Sequence, residues 1–145
     1  MFQTQAYYAT VFHRSFVAYT TARLQKLGLN FGSMFPVIYV GKHPGCTQAE
    51  LTAALHLDWG YSQRCITKLV EDGFLTREKA GRAYHLDLSE KGKEAFAVSH
   101  QVFFDWDSDT LNSLDESERK QLFSILTKVI QKEADSTCTK PSAAP

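Results

Sequence analysis

The sequence predicts a mainly α (α+β) fold: a helix-turn-helix, a β-hairpin wing directly after it, and long helices at both ends. Three observations predict it. Two short helical patterns, residues 47–55 and 58–72, follow one another with only a tight turn between them, as in a helix-turn-helix. The apolar period then switches to two at Tyr84, Leu86 and Leu88, which is strand spacing. Outside this middle, aromatic and aliphatic residues recur every three or four positions over long runs, the stripe of an amphipathic helix.

Composition bounds the rest. With 145 residues, 43% hydrophobic and 22% charged, the chain is long enough to bury a core and too apolar to be disordered throughout. Sixteen basic residues balance sixteen acidic ones, so no global charge marks a nucleic-acid or membrane partner. No apolar run approaches the roughly 20 residues of a membrane span, and Met1-Phe2-Gln3-Thr4-Gln5 lacks the pattern of a signal peptide. Three cysteines (Cys46, Cys65, Cys138) without CxxC spacing point to reduced thiols and a cytoplasmic setting. The neutral balance hides a gradient. Residues 1–49 hold four basic residues and no acid, residues 60–93 seven basic and five acidic, and residues 94–135 nine acidic and four basic. A neutral chain arranged this way can still present one positive face.

Each element follows in order. Tyr8, Phe12, Phe16, Tyr19, Leu24 and Leu27 mark one long helix, and Gly28 supplies its left-handed stop. Asn30 is placed to cap a second helix carrying Phe31, Met34, Phe35, Ile38 and Tyr39, with a kink or irregular turn expected at Pro36. His43-Pro44-Gly45 breaks the chain. Thr47-Gln48-Ala49-Glu50 is a capping box opening a short helix with Leu51, Ala54 and Leu55. Asp58 caps the next helix, which turns Ser62, Cys65, Ile66 and Leu69 inward and stops at Gly73. Phe74–Glu78 pairs with Tyr84–Leu88 across the turn Lys79-Ala80-Gly81-Arg82. A long helix then begins at Ser89–Gly92 and runs through Ala95, Val98, Val102 and Trp106. Asp115 with Glu118 caps a last helix bearing Leu122, Ile125, Leu126, Val129 and Ile130. Residues 136–145 show no pattern and are expected to be a disordered tail.

This order of elements resembles the multiple-antibiotic-resistance regulator (MarR) family. The likeness is carried by Pro44-Gly45-Cys46-Thr47-Gln48-Ala49-Glu50-Leu51, by Leu69-Val70-Glu71-Asp72-Gly73-Phe74-Leu75 and by Leu88-Ser89-Glu90-Lys91-Gly92, in that order with the wing between the last two. It spans roughly residues 5–133. One departure stands out: of the Asp-x-Arg-like element usual at the wing tip, only Arg82 is present. The resemblance implies a single domain over 1–135, with residues 5–28 and 94–133 as dimerisation helices and 30–93 as the winged-helix lobe. It implies a ligand-responsive repressor, a homodimer on a pseudo-palindromic operator of double-stranded DNA, and an effector pocket for which Phe12, Phe16, Phe35, Tyr39, Phe103 and Trp106 are candidates. Tyr8, Phe12, Phe16, Leu122, Ile125 and Ile130 would contribute to the dimer core.

The residues themselves suggest how DNA would be read. With one face of the second short helix buried, Gly60, Tyr61, Gln63, Arg64, Thr67 and Lys68 are left outward. Arg64 matches guanine O6 and N7, and Gln63 matches adenine N6 and N7. Gly60 admits a close approach, Tyr61 suits a thymine methyl or a phosphate, and Thr67, Lys68 and Thr47 suit phosphates that set register. Arg82, with Lys79 and Arg77 nearby, would serve the minor groove or its flanking backbone.

Other chemistries are weaker. The five histidines have no metal-ligand spacing, and Asp105, Asp107 and Asp109 lack the glycine and distal glutamate of a calcium loop; neither a metal nor another cofactor is expected, nor an enzyme activity. Cys46 precedes a helix N-terminus, where the dipole lowers a thiol pKa, so a Cys46-based redox-sensing regulator is one alternative. A winged helix used only to bind protein is another.

Overall fold

The computed structural model describes residues 3–138, with side chains described through residue 131, and divides them after Phe104 into two compact units. No helix among the described residues is long and apolar enough to cross a membrane.

The first unit opens with α1 (Gln5–Leu24), whose first turn is capped by the Thr4 hydroxyl accepting from the Tyr7 amide. A single 3₁₀ turn, Gln25–Leu27, ends at Gly28 with φ of 80°, the left-handed conformation that glycine adopts without penalty. Asn30 then caps α2 (Phe31–Lys42) in a reciprocal box with Ser33. The helix assignment of α2 runs on through Pro36. The proline falls early in the helix, where only the bond to the Gly32 carbonyl is forfeited, and its ring is fully buried.

Thr47 and Glu50 form the expected capping box of α3 (Gln48–Ala54), with bonds of 3.0 and 3.1 Å. Ala54 is exposed, however, and Gln48 and Thr52 are buried beside Leu51 instead; the buried stripe of α3 includes polar residues that an apolar pattern cannot reveal. Asp58 caps α4 (Trp59–Glu71) through the Tyr61 amide. Ser62, Ile66 and Leu69 are buried as expected, with Cys65 half-buried beside them. Lys91 donates to the Asp72 carbonyl just past α4 and lies 4.2 Å from the Phe74 ring centre.

The sheet holds three antiparallel strands in the order β1-β3-β2: β1 (Cys46–Thr47), β2 (Leu75–Ala80) and β3 (Ala83–Leu88). The pairing of β1 with β3, Cys46 opposite Leu86, was not visible in the sequence. Lys79 and Ala80 belong to β2 rather than to the turn, because the ladder continues to Ala80 opposite Ala83. The turn is therefore only Gly81-Arg82, with positive φ at Gly81 alone, the sign pattern of a type II′ hairpin.

Ser89 ties the wing to α5 (Glu90–Thr110): its hydroxyl accepts from the Gly92 amide and donates to the Gly73 and Phe74 carbonyls. The core of this unit gathers Leu24, Met34, Val37, Val40, Leu51, Ile66, Leu69, Phe74, Leu86 and Ala95. Two glycines permit close approaches there. A Cβ on Gly92 would sit 2.0 Å from the Phe74 carbonyl oxygen, and one on Gly41 would sit 2.2 Å from the Phe96 ring.

The unit boundary falls within α5. In the second unit α6 (Glu116–Cys138) begins at the reciprocal Asp115–Glu118 cap, and Arg119 donates twice to the Leu111 carbonyl. The helix continues through Cys138, three residues into the stretch read as a patternless tail; residues 139–145 lie outside the described residues, as do Met1 and Phe2.

Candidate nucleic-acid interface

The interface is built on α4. Burying Ser62, Ile66 and Leu69 forces the positions between them outward, and Tyr61, Gln63, Arg64 and Lys68 are all exposed. The helix is anchored from beneath by a bond of 2.6 Å between the Ser62 and Thr52 hydroxyls, which fixes its rotation about its own axis. Four exposed side chains on successive turns of one helix face make a polar strip that carries both hydrogen-bond donors and positive charge.

Several expected residues have additional engagements. Lys68 pairs with Asp72 at 3.0 Å across one helical turn, with the Lys68 side chain largely open to solvent and Asp72 about one-third exposed. Such a pair is worth only about 0.3–0.5 kcal/mol, so the ammonium can leave it for a phosphate. Gly60 does not stand open: a Cβ there would lie 3.3 Å from both the Arg64 Nη1 and the Asp58 Oδ2. Arg64 thus crosses over the first turn of its own helix, and the glycine leaves room for the guanidinium. The Tyr61 hydroxyl reaches the start of α2, where a Cβ on Gly32 would meet it at 2.7 Å. Tyr61, Arg64 and Lys68 border a cleft of about 300 Å³ whose other wall is Gly28, Leu29 and Asn30.

Thr47 keeps its hydroxyl proton available, because in the capping box its oxygen only accepts, from the Glu50 amide. On the wing, Lys79 and Arg82 are exposed, while Arg77 is half-buried. Lys79 lies 5.8 Å from the Tyr84 ring centre. Among the described residues Arg82 forms no ion pair or hydrogen bond, and it does not pair with Glu78. Thr67 is half-buried and accepts from the Arg77 Nη1 at 3.4 Å, so these two residues face each other. Trp59, at the first position of α4 and 36% exposed, was missed by the sequence reading. An aromatic residue next to an N-cap looks like core, and only burial distinguishes the cases.

The candidate pocket residues are partly assembled. Phe16 lies 5.0 Å from Phe103, and Phe35 lies 6.3 Å from Phe103, between ring centres. Phe31, absent from the expected set, joins Phe16 and Phe35 edge to face. Tyr39 instead stacks on His43 at 4.3 Å. Phe12 is 48% exposed, and Trp106 belongs to the second unit. One turn along α1 from Phe16 and one turn along α5 from Phe103, the hydroxyls of Thr20 and Ser99 are fully buried without a hydrogen-bond partner among the described residues.

Cys46 does not support the redox-sensing alternative. It is buried in β1, and its thiol is pushed up to about 11, chiefly by burial and then by the Glu50 and Asp87 carboxylates. The helix dipole does not prevail, because desolvation of a thiolate outweighs it. Among the described residues, no three His, Cys, Asp or Glu side chains converge as a metal site would require.

A helix-turn-helix with an outward polar strip, followed at once by a two-stranded wing, defines a winged helix-turn-helix protein. No family model matches the chain. Among curated proteins, the HTH-type transcriptional regulator BilQ of Clostridium symbiosum is 43% identical over 143 residues, covering 97% of this chain and 99% of that one. Among solved structures, MarR superposes with a TM-score of 0.85 at 22% identity, covering 97% of this chain and 99% of that one. The S. aureus MepR–DNA complex gives 0.78 at 17% identity over 89% of this chain and 97% of that one. The solved structures establish the MarR fold and the BilQ relative the class: the chain belongs to the HTH-type transcriptional regulators, which act on transcription and are not enzymes.

Proposed function

We propose that this regulator works as a cytoplasmic homodimer that binds a pseudo-palindromic operator and represses transcription until a small aromatic or amphipathic ligand releases it. The observation that carries the DNA-binding reading is the face of α4: Gln63, Arg64 and Lys68 stand exposed opposite buried Ser62, Ile66 and Leu69. Arg64 and Gln63 would read base edges, while Lys68 and Thr47 would hold phosphates. Arg82 would serve the minor groove. The relative MepR was solved on DNA, which supports this use of the fold.

The dimer is supported by apolar side chains exposed on two helices. Tyr8 and Phe12 stand out on α1, and Phe123, Ile125, Leu126, Val129 and Ile130 stand out on α6. A monomer leaving these in water would forgo roughly 25 cal/mol for each Å² of apolar surface, and a second copy of the chain covers them. One lobe alone also buries little DNA surface for specific binding. The ligand reading is supported by the Phe16–Phe31–Phe35–Phe103 cluster with the unmatched Thr20 and Ser99 hydroxyls near it.

Electrophoretic shift of the genomic fragments flanking its own gene tests the reading, together with sedimentation of the free protein. A saturable shift outcompeted by the same fragment but not by bulk DNA, and a dimer at micromolar concentration, are expected. A folded monomer that shifts no fragment would instead make the winged helix a protein-binding module.

A further inference from the structure

Arg77 sits midway along β2, opposite Leu86 of β3. Unlike the exposed Lys79 and Arg82 on the same hairpin, it is half-buried. Its Nη1 donates to the Thr67 hydroxyl on α4 at 3.4 Å, and its guanidinium carbon lies 5.1 Å from the centre of the Tyr84 ring on β3. One side chain thus touches the recognition helix on one side and the central strand of the sheet on the other. Thr67 is three positions after Arg64 and four after Gln63, so it lies on the same stretch of α4 as the groove-reading side chains. We infer that Arg77 is a positioning residue: through Thr67 and Tyr84 it locks the angle between the recognition helix and the wing, and does not itself hold a phosphate.

The chemistry asks for arginine. A planar guanidinium stacks on an aromatic face while still donating in its plane, whereas an ammonium offers a hydrated point charge that cannot do both. The geometry matters because Gln63 and Arg64 and the wing-tip Arg82 must meet adjacent grooves at once. The spacing of those grooves is set by the DNA, so an α4 free to swing against the wing satisfies one contact at the expense of the other. Besides the apolar packing of Ile66 and Leu69 with Leu75 and Leu86, a hydrogen bond ties α4 to the base of the wing, where the Phe74 amide donates to the Leu69 carbonyl. Arg77 adds a second, directional polar fastening further out, and two such points define an angle that non-directional apolar packing leaves looser.

This inference rests on the DNA-binding reading, and the test separates the two. The full-length protein and the variants Arg77→Gln, Arg77→Lys, Thr67→Val and Arg77→Gln/Thr67→Val are titrated with a duplex selected on the wild type from a random library. A scrambled duplex of equal length is the control, over a series of KCl concentrations. A lost phosphate contact makes the salt slope shallower by about one. A lost brace leaves the slope unchanged but lowers discrimination between the duplexes by roughly tenfold, mid-range for residues sharing one contact network. Thr67→Val should reproduce that loss with the charge of Arg77 intact, the double variant should lose no more than either single one, and Arg77→Lys should fail to restore discrimination. A shallower slope with discrimination preserved in Arg77→Gln overturns the inference. A urea double-mutant cycle without DNA reports the brace itself: non-additive effects are expected, and additive ones overturn it while leaving the DNA-binding reading standing. A wild type that selects no duplex overturns that reading and, with it, the positioning role.

Discussion

Thr52 and Ser62 share a hydrogen bond of 2.6 Å between two buried hydroxyls, across the tight turn that joins α3 to α4. Thr52 also donates to the Gln48 carbonyl at 2.7 Å, so its proton is spoken for and Ser62 is the donor between them. The pair fixes which face of α4 turns inward, and hence which residues are offered to DNA.

The two hydroxyls should therefore be coupled in stability. Ser62→Ala removes a donor from a buried acceptor, and Thr52→Val strands a buried donor; each should cost about 1–3 kcal/mol. The double variant replaces both partners with apolar groups and should cost less than the sum, by about 1 kcal/mol. Urea unfolding of the four proteins checks it, and strictly additive losses would remove this bond from the account of the helix-turn-helix.

The inward set of α4 was readable in the sequence because Ser62, Cys65, Ile66 and Leu69 follow helical spacing, and the caps at Thr47, Asp58 and Asp115 because a cap needs only neighbours a few residues away. The Thr52–Ser62 bond was not readable, since a buried hydroxyl breaks the apolar pattern that a periodicity argument relies on. β1 was hidden for a related reason: two residues are too few to show alternation, and Thr47 already serves as a cap. Arg77 looked like its neighbours Lys79 and Arg82 because strand spacing gives a residue's face but not what lies across from it. The reading face could be derived from one helix, whereas the brace behind it depends on three elements meeting.

Close packing at two glycines predicts contrasting outcomes. At Gly92 a methyl would meet the Phe74 backbone carbonyl, which cannot step aside without moving the base of the wing. Gly92→Ala should destabilise by roughly 3 kcal/mol, the upper end for overpacking. At Gly41 the obstacle is the Phe96 side chain. Gly41→Ala should be rescued in part by Phe96→Leu, whereas the same second change should leave Gly92→Ala unimproved. Thermal melts of these four variants, with Phe96→Leu alone as the control, distinguish an obstruction by backbone from one by a ring.

Burial of Cys46 predicts a slow thiol and a specific alkaline weakness. A thiol raised from its ordinary 9.0 to about 11 holds its proton more tightly folded than unfolded. Its contribution is complete below the unfolded value and is lost as pH rises from 9 toward 11, by up to ~1.4 kcal/mol per pH unit. Cys65 and Tyr39 are raised in the same sense by burial, so Cys46→Ala should reduce this loss without abolishing it. Urea unfolding at about pH 8 and about pH 10 measures the difference. At neutral pH, iodoacetamide should modify Cys46 only at the rate of unfolding; fast alkylation of the native protein would restore the redox-sensing alternative.

Arg64 and Lys68 should differ in kind when removed. A lost bidentate guanine contact costs about 1–3 kcal/mol and relaxes preference at one base position. A lost phosphate contact weakens all sequences alike and makes the salt slope shallower by about one. Asp72→Asn should act oppositely to Lys68→Ala, because it releases the Lys68 ammonium from its ion pair and removes a negative charge that repels the backbone. Preference that survives Arg64→Ala unchanged would move the reading role elsewhere on α4, with Trp59 the next residue to test.

Arg82 should carry the contribution of the wing tip. The two-residue turn places it just beyond Gly81, exposed and in no ion pair among the described residues, so its guanidinium can enter a groove without first breaking an ion pair. A narrow A·T-rich minor groove concentrates negative potential. Arg82→Ala should therefore weaken binding most on duplexes with A·T-rich flanks and least on those with G·C-rich flanks. Arg82→Lys should recover only part of the loss, because an ammonium surrenders its water less readily than a guanidinium. The rival arrangement, a cross-hairpin pair between Arg82 and Glu78, predicts instead that Glu78→Gln changes affinity as much as Arg82→Ala does. Titrating the wild type and the three variants against both flank classes decides between them. Equal affinities throughout would mean that the wing stops short of DNA, leaving recognition to α4 alone.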